Sequence, residues 1–182
     1  MRSRGDHPPA MTAFATLAQP TTVNLTPALK RAAYVELRAA AQATLAGETD
    51  RLVRQATLAC LIKTFLPYAY WAGFYDVDAA TDGLKVGPYQ GTLGCLRIAR
   101  GRGVCGRSAA EGRTIVEADV HALPLGTEHI ACDPKSRSEI VVPCRDAAGE
   151  LFAVLDIDSE ALASFDDIDR VELEALVAET FA

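Results

Sequence analysis

The 182-residue chain carries five cysteines but no C-x-x-C pair. That absence excludes a zinc ribbon and a thioredoxin-type redox motif. Its three histidines, His7, His121 and His129, do not fall at metal-ligand spacing, so no metal site is expected. There is no excess of positive charge. The 18 lysines and arginines stand against 24 acidic residues, a net charge of −6, which leaves no electrostatic case for nucleic-acid binding. No apolar run reaches the roughly 18–20 residues that a membrane span needs. The first stretch, MRSRGDHPPAMTAFATLAQPTTVN, lacks the core of a signal peptide. A cytoplasmic location is therefore expected, where thiols are buried, metal-bound or reactive rather than stapled in structural disulfides.

Repeats, low-complexity segments and an interdomain linker are also missing. One domain over residues 26–182 is expected, with residues 1–25 reading as a flexible extension. Thr26-Pro27 opens a helix that runs to Gly47, and a second runs from about Asp50 to Pro67. In that second helix Cys60 lies in an apolar run and reads as a small core residue. The texture then changes. YAYWAGFYDV, LKVGPY, CLRIA, RTIVEA, EIVVPC and LFAVLDID read as strands, with turns at DAATDG and DAAGE and a short helix at GVCGRSAAEG. SFDDIDRVELEALVAETFA closes the chain as a helix. Ser164 and Asp167 suggest its cap, and Ile168, Val171, Leu176 and Val177 its apolar face. The order predicts an α+β fold, a mostly antiparallel central sheet with helices packed on one face.

Chemistry gathers late in the chain. In the strand LFAVLDIDS, alternation puts Asp156 and Asp158 on one face with Phe152 and Val154, and Leu155 and Ile157 on the other. Two carboxylates on an apolar strand repel and lose solvation, so at least one should hold its proton. Glu139 opens the neighbouring strand across the tight DAAGE turn, and pairing the two brings Glu139 towards both aspartates. Cys95, Cys105 and Cys132 sit in loops or near a helix start, where cysteine is not needed for packing. For each, inert burial stands beside reactivity. The helix start and Arg102 or Arg107 could lower the Cys105 thiol pKa. Cys144, at the end of an apolar strand, reads as a packing residue.

GPYQG, CLRIARGRGVCGRSA, HIACDPKSRSEIVVP, GELFAVLDIDS and WAGFYDVD together resemble the free methionine-(R)-sulfoxide reductases, which are GAF-domain enzymes. The resemblance runs from about Thr26 to the C-terminus. ADVHALPLGTEHIACD carries a few residues more than the family has there. The resemblance implies reduction of free methionine-(R)-sulfoxide by a cysteine thiolate, through a sulfenic acid and an intramolecular disulfide that thioredoxin recycles. It implies Cys132 as nucleophile and Cys95 or Cys105 as the resolving thiol, with Cys105 the second candidate for nucleophile. Glu139 and Asp158 would assist loss of the sulfoxide oxygen, and Asp156 would meet the substrate ammonium. Trp71 and Tyr75 would wall the methyl-thioether end, and the backbone at Ile130 and Ala131 would face the carboxylate. No bound cofactor is implied, and a homodimer is. A non-catalytic GAF domain that senses a small molecule or redox state is the alternative; it has no need of three loop cysteines.

Overall fold

The computed structural model describes residues 24–124 and 132–181. Thr26 caps helix α1 (Pro27–Leu45): its hydroxyl accepts from the Leu29 amide, and Pro27 stands where no amide is required. Asp50 caps α2 (Arg51–Phe65) by accepting from the amides of Leu52 and Val53. The strands are β1 (Trp71–Asp78), β2 (Gly83–Gln90), β3 (Arg97–Ala99), β4 (Ile115–Glu117), β5 (Ser138–Arg145) and β6 (Leu151–Ser159). They form one antiparallel sheet in the order β3-β2-β1-β6-β5-β4. Helix α3 (Gly103–Glu111) lies between β3 and β4, and α4 (Asp167–Phe181) follows β6.

Strand alternation sorts the side chains into two clusters. On one face Ala72, Phe74, Ile140, Val142, Leu155 and Ile157 pack against Tyr34, Leu37, Leu58, Ile62, Leu173 and Leu176 of α1, α2 and α4. On the other, Trp71, Tyr75, Val141 and Val154 meet Val104, Cys105 and Ala109 of α3. The expected α+β architecture holds, with three helices on one face and the short α3 on the other. That second face carries the candidate site.

Four local expectations are corrected. Cys60 is exposed, not core. At about 100° per residue it lies about 200° around the helix from Leu58, opposite the buried stripe of Gln55, Leu58 and Ile62. Val171 is 52% exposed, and α4 buries Leu173, Leu176, Val177 and Phe181 in its stead. Asp166, not Ser164, accepts from the first amides of α4, those of Ile168 and Asp169. Phe152 leaves the face of Val154 and packs edge-on against Phe181, near the point where the β5–β6 register shifts at Cys144/Arg145.

The ends of α1 and α4 are tied by a buried ion pair. Lys30 reaches Asp169, which also accepts from the Tyr34 and Tyr68 hydroxyls, and Lys30 donates to the Ser164 carbonyl. Lys30→Ala would leave the buried Asp169 carboxylate without its cation, held only by neutral donors. We expect a loss of about 3–5 kcal/mol, read as a lower midpoint in chemical unfolding; an unchanged midpoint would show the pair to be energetically idle.

Candidate active site

Register builds the site. Glu139 on β5 stands opposite Asp158 on β6, and Asp158 stands opposite Trp71 on β1. Asp156 pairs with Val141 on one side and Gly73 on the other. Because side chains alternate, Glu139, Asp156, Asp158, Trp71 and Tyr75 all project from the face that α3 covers. The convergence expected of the three carboxylates is what the sheet delivers. They line one cavity with Trp71, Tyr75, Cys105, Cys132 and Asp133, and it leaves about 40 Å³ open to water-sized molecules.

One wall is aromatic. The Trp71 ring stacks on Tyr75 at 5.8 Å between centroids and on Tyr89 at 5.1 Å, while its indole N–H donates to the Thr92 carbonyl. Two glycines make room for it. A Cβ at Gly73 would lie 2.2 Å from the Tyr89 Cβ and 2.7 Å from the Trp71 ring. A Cβ at Gly94 would lie 2.9 Å from the Tyr75 hydroxyl oxygen.

The other wall is acidic. Burial pushes the Glu139 and Asp158 carboxyls well above the usual range, and charge on Asp156 adds to the effect on both. Burial raises Asp156 to about 7, with hydrogen bonds from Cys105 and Glu139 offsetting part of the cost. Its Oδ1 is buried with no hydrogen-bond partner among the described residues. The Cys105 thiol lies 3.8 Å from Glu139 Oε1. Its pKa is raised, first by burial and then by the neighbouring carboxylates. This corrects the expectation that the helix start and Arg102 or Arg107 would lower it: the thiol points into the acidic cavity, and Arg107 pairs with Glu117 instead. Cys105, Glu139 and Asp156 each place a donor atom within 4.8 Å of the others, a spacing that could hold a metal ion.

Cys132, which lines the cavity, forms a disulfide with Cys95; their Cα atoms are 5.1 Å apart and the two lie 37 positions apart in sequence. Cys105 and Cys144 are buried free thiols. Cys144 belongs to the cluster beneath the three helices, on the face away from the cavity. Ile130 and Ala131 lie outside the described residues. Sequence reasoning missed Ser136, whose hydroxyl hydrogen-bonds Asp158, and the contributions of Leu93, Gly94, Ile98 and Val104 to the lining. Only the clustered glycines of GPYQGTLG hinted at the last group.

A small cavity on one face of an antiparallel sheet, roofed by a short helix and loops, is the arrangement of a ligand-holding domain. The GAF domain family matches residues 42–182. Free methionine-R-sulfoxide reductase of Escherichia coli is 40% identical over 146 residues, covering 80% of this chain and 85% of that protein. The X-ray structure of free methionine-R-sulfoxide reductase from Neisseria meningitidis in complex with its substrate is similar at 42% identity and a TM-score of 0.77. It covers 85% of this chain and 88% of that one. The reduced form of fRMsr of Staphylococcus aureus aligns at 36% identity and a TM-score of 0.77, over 89% of this chain and 99% of that one. The chain belongs to the GAF family and, within it, to the free methionine-R-sulfoxide reductases.

Proposed function

We propose that the protein reduces free methionine-(R)-sulfoxide to methionine, with Cys132 as nucleophile and Cys95 as resolving thiol. The observation that carries this reading is a Cys95–Cys132 disulfide at a cavity lined by Cys132, an aromatic wall and three carboxylates, Glu139 and Asp156 buried and Asp158 half-buried. A redox sulfur pair, proton donors and an apolar slot are what sulfoxide reduction needs in one place.

The chemistry follows from these positions. The Cys132 thiolate attacks the sulfoxide sulfur while Glu139 and Asp158, both kept protonated by burial, hydrogen-bond the oxygen as the S–O bond breaks. The oxygen departs as water with two protons, leaving a Cys132 thiosulfonium adduct. Water then attacks the Cys132 sulfur, the bond to the substrate sulfur breaks to release methionine, one proton is returned, and Cys132 is left as a sulfenic acid. The Cys95 thiol attacks that sulfur, the S–S bond forms, and hydroxide departs with the thiol proton as water. A dithiol protein of the thioredoxin class then reduces the disulfide by exchange. Each cycle balances as one sulfoxide and two thiols giving methionine, a disulfide and water. The unpartnered Oδ1 of Asp156 suits the substrate ammonium, and Trp71 with Tyr75 suits its methyl and thioether. No bound cofactor enters this scheme.

The test is turnover of the purified R and S epimers of free methionine sulfoxide, and of a peptide containing the sulfoxide, driven by a dithiol. We expect turnover of the free R epimer alone. Ligand binding with an unchanged thiol count would instead support a non-catalytic GAF sensor.

A further inference from the structure

The disulfide is not the sole link between the Cys95 and Cys132 segments. Asp133, next to Cys132, accepts a hydrogen bond from the Tyr70 hydroxyl at 3.0 Å and another from the Thr92 hydroxyl. Its second oxygen accepts from the Lys135 amide at 2.9 Å, which fixes the carboxylate's own turn. Thr92 lies three residues before Cys95, and the Trp71 indole holds the Thr92 carbonyl at 3.0 Å. Tyr70 immediately precedes β1. The hydrogen bonds therefore join the same two loops that the sulfurs join, and anchor both to the edge of the aromatic wall.

From this geometry we infer that Asp133 is a positioning residue: with Thr92 and Tyr70 it forms a latch that keeps Cys95 and Cys132 at pairing distance while both are reduced. The physical reason is effective concentration. Reduction removes the covalent tie between positions 37 residues apart, and two untethered loops would sample many separations. Hydrogen bonds to a carboxylate do not depend on the oxidation state of the neighbouring sulfur. They hold the Cys132 backbone against the Cys95 loop, so the ring-closing attack finds its partner already near. Fast closure also shortens the life of the Cys132 sulfenic acid, which can otherwise oxidise further to the irreversible sulfinic acid. The kinetic part rests on the proposed function, in which Cys95 resolves Cys132; the equilibrium part does not.

The test uses Thr92→Val and Tyr70→Phe, each of which removes a hydroxyl and keeps the shape. Neither side chain lines the cavity. Effective concentration of the Cys95/Cys132 pair is read from its redox equilibrium with glutathione. We expect it to fall by about tenfold in each variant, the scale of one charge-assisted hydrogen bond. In single turnover with free methionine-(R)-sulfoxide, the methionine burst should stay within twofold of the parent. Trapping of the Cys132 sulfenic acid by a 1,3-dione should rise by about tenfold in parallel. Effective concentrations within twofold of the parent in both variants would overturn the latch. An equal slowing of burst and closure would overturn its specific role in resolution. If the parent makes no methionine yet the variants shift the glutathione equilibrium, the latch stands and the reductase reading falls.

Discussion

Replacing Cys132 with serine should abolish steady-state turnover of free methionine-(R)-sulfoxide, a loss of at least about a thousandfold. The hydroxyl of serine is a far weaker nucleophile than a thiolate at neutral pH. The other cysteines separate on the same assay. Cys95→Ser should leave one methionine per chain in a single turnover and then stall, since the sulfenic acid has no partner. Cys105→Ser should keep multiple turnover. Its thiol is buried against Glu139, and the surrounding carboxylates hold its proton on, so it offers little thiolate. Methionine formation by Cys132→Ser, coupled with loss of the burst in Cys105→Ser, would exchange the two roles. The measurement is quantitation of methionine per chain, with and without reductant.

Asp156→Asn should raise the stability of the ligand-free protein and lower kcat/KM by about a hundredfold, the two effects having one cause. The Asp156 carboxyl is buried, and its pKa stands at about 7. The sign follows from comparing states. In the unfolded chain the group ionises near the ordinary aspartate value, whereas in the folded protein it keeps its proton until about pH 7. Between those values the folded state binds more protons, so stability falls as pH rises from about 4 to about 7 and then levels. Glu139 and Asp158, also raised, extend that decline upward. Asparagine has no charge to desolvate. The variant should therefore gain more in melting temperature at pH 8 than at pH 5. The same charge is what a substrate ammonium would seek, and removing one partner of a buried ion pair costs about 2–5 kcal/mol. A variant that is no more stable at pH 8, or that binds substrate as well as the parent, would show Oδ1 to be satisfied by other means.

Much of this was legible in residue order. The two aspartates of LFAVLDIDS share a face because a strand repeats every second residue, and DAAGE is short enough to force β5 against β6. Glu139 therefore had to approach them. The cap at Thr26 was equally local. Where reading failed, position around a helix or the shape of a cavity decided. Cys60 has apolar neighbours in sequence but faces outward, because its helix buries a stripe and not a run. Cys105 sits at a helix start, as expected, yet its titration is governed by carboxylates brought from β5 and β6.

Residue order alone carries the run of helices and strands, the α+β class, the family resemblance and the face on which the carboxylates lie. All of these depend on periodicity or on contiguous motifs. Folding in three dimensions is what pairs Cys132 with Cys95 and not Cys105, sets the Cys105 thiol against Glu139 among the cavity carboxylates, and brings Asp133 to Thr92 and Tyr70. Those facts join residues from separate loops and strands. Their distances are set by sheet register and helix packing, and no local pattern encodes them.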